Sequence, residues 1–325
     1  MANSVLHSVN NRLSVAAASP VDKIRRLVFR IAIATLILMA IGGATRVMNA
    51  GLACPDWPLC YGELVPRQQM NFQVFLEWFH RLDAAFVSLS TLGLVALSGW
   101  HRKQLPHWLP WASTLALSLI LFQAVLGGLT VTELLRFDIV TAHLGTALLF
   151  FVTLLVIGMA LVPYQPVGTV GKLPWVGLTA AVLIYIQSLL GALVASQWAL
   201  HQCFAGFQLC LVMNGHIAGS IPATIATLLI IGLIWRTPAL NPALRRLGQL
   251  AAFLVVFQVF LGVITFWVHL QVELLTIAHQ TTGAALLGTL VSFTVLALRD
   301  RAFSRQALPL GEALQSSTET QPQGT

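Results

Sequence analysis

LGQLAAFLVVFQVFLGVITFWV, residues Leu247–Val268, runs for 22 residues without a charge. That length meets the ~20 apolar residues a helix needs to cross the hydrocarbon core of a bilayer. In lipid the backbone must satisfy its own hydrogen bonds, so only helices or closed barrels span a membrane, and an uninterrupted run of this length means a helix. Leu27–Ala44, broken only by Arg30, reads the same way. The composition agrees with a membrane chain: 57% of the residues are hydrophobic and 9% charged, where a soluble domain carries roughly 25% charged residues. Working outward, the runs predict eight helices over 25–47, 72–100, 109–131, 139–162, 174–196, 209–235, 247–268 and 275–298. The predicted fold class is an all-α integral membrane protein, its eight transmembrane helices forming two pseudo-symmetric four-helix bundles.

The net charge of +7 is distributed in short stretches between the apolar runs. Lys23, Arg25, Arg26 and Arg30 lie at the start of the first run, Arg102 and Lys103 follow the second, and Lys172 follows the fourth. Arg236, Arg245 and Arg246 follow the sixth, and Arg299, Arg301 and Arg305 the eighth. The alternate loops carry only Arg46, Arg67 and Arg136. This asymmetry is the positive-inside pattern, which places both termini in the cytoplasm. It also accounts for the basic charge without a nucleic-acid partner. Trp100, Trp108, Trp111, Trp175 and Trp235 fall at the inner ends and Trp57, Trp78, Trp198 and Trp267 towards the outer side, as an aromatic belt requires.

The expected organisation is a polar tail over 1–24 with no cleaved signal, a first four-helix half over 25–162 and a linker over 163–173. A second half over 174–298 and a disordered tail over 299–325 follow. The halves repeat: Phe122-Gln123-Ala124-Val125-Leu126-Gly127, then Thr141-Ala142-His143, reappears as Phe257-Gln258-Val259-Phe260-Leu261-Gly262, then Ile277-Ala278-His279. His80 to His216 and His143 to His279 are each 136 residues apart. Two halves of four helices imply a parallel repeat about an axis near the membrane normal.

These four histidines sit inside predicted helices, where polar side chains are costly and usually mark a site. His80 can meet His143 at one depth and His216 can meet His279 at an equivalent one. Facing imidazoles in a bundle core suit the axial positions of a haem iron. Zinc suits them less, since neither pair has the further thiolate or carboxylate ligands that complete its shell. His7, His101, His107, His201 and His269 fall in tails, loops or helix ends and read as solvated.

Glu77 precedes His80 by three residues on the same helix face, and its counterpart in the second half is Met213. It reads either as an interfacial carboxylate paired with Arg81 or as the sign that the first half performs chemistry while the second holds a fixed cofactor. Cys54 with Cys60, and Cys203 with Cys210, fall in equivalent outer loops facing an oxidising compartment. Each pair reads as a structural staple or as a redox-active couple.

The stretch Gly42-Gly43-Ala44-Thr45-Arg46, followed by Gly51-Leu52-Ala53-Cys54-Pro55-Asp56-Trp57-Pro58-Leu59-Cys60-Tyr61-Gly62, resembles the first-helix and outer-loop signature of the haem A synthase family. Glu77-Trp78-Phe79-His80-Arg81 resembles its Glu-x-x-His-Arg motif, and His143-Leu144-Gly145 and His279 match its other ligand positions. The family's His-Arg pairing on the sixth helix is absent, because Ile217 follows His216. The resemblance, covering about 25–300, implies oxidation of a methyl group of haem O to a formyl group. It implies His80 and His143 flanking the substrate haem O, His216 and His279 ligating a resident haem b, and Glu77 as a catalytic or substrate-orienting carboxylate. It also implies a Cys54–Cys60 disulfide, an upstream haem O synthase as partner and an electron donor outside the chain. Arg46, Arg81 and Arg136 are expected partners of haem propionates, because arginine suits carboxylates. A homo-oligomer is left open. The rival readings are a di-haem cytochrome b-type electron carrier and a membrane haem carrier.

Overall fold

The computed structural model describes residues 19–195 and 207–319, with side chains described for 19–195 and 211–303. Among the described residues eight helices are long and apolar enough to cross a membrane. They are α1 Pro20–Val47, α2 Phe72–Trp100, α3 Trp108–Thr132, α4 Phe137–Leu161, α5 Leu173–Val194, α6 Phe207–Trp235, α7 Pro242–Trp267 and α8 Glu273–Glu319. The chain is therefore a multi-pass membrane protein built from helices.

Most helix ends fall within two residues of the sequence reading, and the larger departures have local causes. Helix α1 begins five residues early because Ser19 caps it, accepting from the Asp22 amide at 3.1 Å, with Pro20 in the first turn. Helix α7 begins at Pro242 behind the Asn241 cap, so Arg245 and Arg246 join its first turns instead of a loop. Helix α8 continues to Glu319, correcting the expectation of an unstructured segment from residue 299. Extending a formed helix costs far less than nucleating one, and Ala, Leu, Gln and Glu in this stretch favour it.

Each set of four helices closes on itself. In the first, α1 packs on α2, α2 on α3, α3 on α4 and α4 on α1; in the second, α5 packs on α6, α6 on α7, α7 on α8 and α8 on α5. The two rings meet where α8 lies against α1 and α4, and α4 against α5. Small residues permit this approach: Gly288 of α8 faces Phe151 and Leu155 of α4, and Gly158 of α4 faces Phe29 of α1. Helix α8 is the most enclosed span, burying Leu286, Leu290, Phe293 and Ala297. Its Thr289 and Thr294 hydroxyls donate to the carbonyls four residues back, at 2.8 Å each. Outward-facing Phe86, Leu89, Phe253, Val256 and Phe260 form the lipid-facing girdle.

Two turns are built alike, consistent with a duplicated unit. After α3, Leu134 and Leu135 take φ of 53° and 60°; after α7, His269 and Leu270 take 54° and 59°. Consecutive non-glycine residues in the left-handed region are uncommon. The amide of Leu135 reaches the Thr130 carbonyl at 2.8 Å, and that of Leu270 reaches Thr265 at 2.9 Å. At the basic end of the bundle, the linker between the rings is tied to α8. Asp300 accepts from the Tyr164 hydroxyl at 2.8 Å and the amides of Val167 and Gly168 at 3.0 and 2.6 Å, while Arg299 donates to the carbonyls of Met159 and Val162.

Candidate functional site

His216 and His279 come together as their spacing predicts. His216 of α6 and His279 of α8 face one another with ring centres 6.3 Å apart and planes at 82°. His80 of α2 lies against Gly42 of α1 and His143 of α4 against Gly127 of α3. Each ring rests on a glycine of the preceding helix. A Cβ added at Gly42 would meet His80 Cε1 at 2.8 Å; at Gly127, His143 Cε1 at 3.3 Å; at Gly191 and Gly262, the Cε1 atoms of His216 and His279 at 3.0 Å. In three of the four places a glutamine stands one turn before that glycine: Gln123, Gln187 and Gln258. The Gln187 amide lies 3.0 Å from His216 Nδ1. The Gln258 side-chain amide lies 3.4 Å from His279 Nε2. In α1 the corresponding residue is Leu38.

The residues present fit a metalloporphyrin. Two metal–imidazole bonds of about 2 Å each, extended to the ring centres, span about 6 Å, which is the separation of His216 and His279. Among the described residues no three His, Cys, Asp or Glu side chains converge, so a metal held by either pair would need its remaining coordination from another group, which a macrocycle supplies. The buried Nδ1 atoms of His80, His143 and His279 lack a protein partner of normal hydrogen-bond geometry. A cavity of about 350 Å³ opens around His216 and His279, lined mainly by apolar side chains such as Ile184, Val259 and Leu286.

Because Gly42 touches His80, its size sets the ring's position. Gly42→Ala is expected to displace the ring and lower product formation at the first-half site about tenfold. Gly93→Ala on α2, where nothing lies within 4 Å, should leave it unchanged. Product per bound haem, measured in both variants, checks this.

Glu77 is buried, at 4% exposure. Its carboxylate accepts from the Cys54 amide at 2.8 Å and pairs with Arg81 at 2.5 Å. Arg81 donates in addition to the carbonyls of Asp56 at 2.6 Å, Cys54 at 3.3 Å, and Leu59. Cys54 and Cys60 form a disulfide. Asp56 accepts from the Tyr61 and Gly62 amides, both at 2.6 Å, and the Gly62 N–H above all holds its carboxyl below the usual carboxylate range. The Trp57 ring lies over Gly128 of α3, and Trp78 Nε1 donates to Leu64 O at 2.8 Å. The loop is thus a lid pinned on α2 and α3, and the Glu77–Arg81 pair is its main fastening.

The three arginines of the sequence reading separate. Arg81 is engaged by the loop, and exposed Arg136 is engaged by Asp138 at 2.7 Å and Glu133 at 3.5 Å. Arg46 lines the cavity of the second-half histidines, and its buried Nε has no partner. Cys203 and Trp198 lie outside the described residues, as does the Cys210 side chain. Met213, opposite Glu77 in the repeat, lines the cavity.

Two features escaped the sequence reading. The Gln-x-x-x-Gly spacing before three of the four glycines is present in the repeated motif and could have been found there. Asp83, three residues after His80, is a carboxylate within α2 whose Oδ2 is buried and unpartnered; its counterpart at the repeat offset is Gly219. A second acid on the same membrane helix as Glu77 was the signal.

Comparison with known proteins places this geometry. A protein from Shewanella oneidensis named "Heme A synthase" is 28% identical over 312 residues, covering 79% of this chain and 92% of that protein. One of the same name from Geobacillus kaustophilus is 31% identical over 144 residues, 43% of each. A "Protoheme IX farnesyltransferase" from Halobacterium salinarum is 31% identical over 119 residues, 37% of this chain and 26% of that protein. The family model described as cytochrome oxidase assembly protein matches residues 25–291, spanning all four histidines, the disulfide loop and Arg46, and the chain belongs to that family.

Proposed function

We propose that the chain is a haem A synthase, which oxidises a methyl group of haem O to the formyl group of haem A within the membrane. The observation that carries this reading is the pair of histidine pairs in two four-helix rings of unequal character, the first with carboxylates at Glu77 and Asp83, the second with Met213 and Gly219. In this reading His80 and His143 flank the substrate haem O, and His216 and His279 ligate a resident haem b. Haem iron supplies the redox chemistry that side chains lack. The chain's own residues position it: glycines set the imidazoles, and the disulfide lid closes the end of the first ring. The apolar cavity also excludes water. The same end faces outward and both termini are cytoplasmic, following the positive-inside pattern, with the bacterial cell membrane as the location.

An upstream partner that makes haem O fits the substrate, and the shared segment with a protein named as a farnesyltransferase supports that pairing. The test is co-expression with a haem O synthase in a host lacking haem A, followed by chromatography and mass analysis of extracted haems. A haem bearing both the farnesyl tail and a formyl group is the expected product. Haem b and unchanged haem O alone, from folded protein supplied with reductant and oxygen, would overturn the reading in favour of a cytochrome or a haem carrier.

A further inference from the structure

Helix α1 belongs to the first ring, yet its disulfide-loop end forms a wall of the second-half cavity. Within one turn, Gly42 touches His80 of the first site, Gly43 faces Gln280, and Arg46 lines the cavity around His216 and His279. Gln280, next to His279 in sequence, ties α8 to this turn by donating to the Met39 carbonyl at 3.1 Å. The cavity lining contains no Asp or Glu, and neither does the undescribed stretch 196–206. Arg46 has no ion pair among the described residues, and its Nε is buried without an acceptor. A guanidinium held within the membrane almost always has an anion or carbonyl to face, and leaving it unpaired is strongly destabilising. Among the described residues no anion or carbonyl meets its Nε, and an acceptor that enters with the ligand would satisfy it.

We infer that Arg46 binds a carboxylate of the porphyrin held between His216 and His279, so that the second-half site is completed by a residue of the first half. This rests on the assignment of a haem to those histidines. A porphyrin bearing propionates presents carboxylates at one edge, and the planar guanidinium fork matches a carboxylate better than an ammonium does. Arg46 lies towards the loop end of α1, so the carboxylate edge of the ring points to that end and its apolar edge into the bundle. Neither Arg81 nor Arg136 can take this part, since both are engaged elsewhere.

The test uses the full-length chain, purified without haem from a haem-deficient host, carrying His80→Ala and His143→Ala so that only the second-half site binds. It is loaded with protohaem or with protohaem dimethyl ester, whose carboxylates are blocked, and haem loss to excess apomyoglobin is followed optically. With Arg46 intact, the ester is expected to leave at least about tenfold faster than protohaem, the scale on which a buried charge pair loses a partner. With Arg46→Met, the two are expected to leave at the same rate, and Arg46→Lys should restore part of the difference. Equal loss of haem and ester from the Arg46 protein would overturn the inference, and this measurement needs no folded Arg46 variant. The converse background, His216→Ala with His279→Ala, is the second arm: an ester effect that depends on Arg46 only there assigns the carboxylate to the first half and also overturns it. Since the readout is retention and not haem A, failure to form haem A would sink the proposed activity without touching this result.

Discussion

Alanine at His80 or His143 is expected to abolish haem A formation while the chain keeps one bound haem; alanine at His216 or His279 is expected to strip that haem. The two pairs are alike in construction, each imidazole resting on a glycine one helix back, so the difference has to come from what surrounds them. Around His216 and His279 the cavity is defined, its lining largely apolar and its polar groups neutral apart from Arg46. On the proposed reading, that environment is suited to retaining a cofactor. Around His80 stand the Glu77–Arg81 pair, the disulfide lid and the unpartnered Asp83, an environment with groups that can orient a substrate or handle a proton. Removing an outer-shell partner of a metal site typically costs about 10–100-fold, and removing the ligand itself should exceed that. The measurement is haem stoichiometry and low-spin optical spectrum of each purified variant, set beside haem A produced in co-expression. Equal loss of bound haem and of product from all four variants would mean that the halves do not divide the work.

Helix number, helix positions and histidine pairing were legible because each depends on local composition or on a constant offset. A span of twenty apolar residues needs no tertiary information, and His216 and His279, which the repeat offset marks as partners, face one another in the fold. What was not legible depends on contacts between distant segments. Arg46 reads as an outer-loop arginine of the first half because nothing in the sequence says that α1 packs on α8. The enclosure of α8 is likewise hidden, since its span is less hydropathic than that of α4. Its Thr282, Thr289, Ser292 and Thr294 are nonetheless buried, their polarity reduced where hydroxyls bond back along the helix. The continuation of α8 to Glu319 is hidden for the opposite reason: its composition is polar, and a helix already nucleated in the bundle extends readily through such residues.

Glu77→Ala is expected to abolish haem A formation, leave the second-half haem bound, and expose the Cys54–Cys60 disulfide to reductant. The sequence offered two readings of this residue, and the geometry favours a support role more than the resemblance suggested. One carboxylate oxygen holds the Cys54 amide and the other the Arg81 guanidinium, so neither is free to meet a substrate unless the lid opens. Deleting the acid leaves a buried amide without an acceptor and a buried cation with carbonyls alone, a disruption of about 3–5 kcal/mol where a buried pair is broken. Arg81→Met should therefore copy the defect, since it releases the carbonyls of Asp56, Leu59 and Cys54 together. Replacing both partners by methionine removes both charges but still leaves the Cys54 amide and the three loop carbonyls without their partners, so the double variant is expected to keep the exposed disulfide. The decisive comparison is alkylation of the loop cysteines after mild reduction, scored beside product, in Glu77→Ala, Arg81→Met and the double variant Glu77→Met with Arg81→Met. If the double variant exposes the disulfide and loses haem A as the single variants do, Glu77 acts by fastening the lid. If it regains the protected disulfide and still makes no haem A, the carboxylate itself meets the substrate. A fully active Arg81→Met would sink the fastening role outright, because the loop would then need neither partner of the pair.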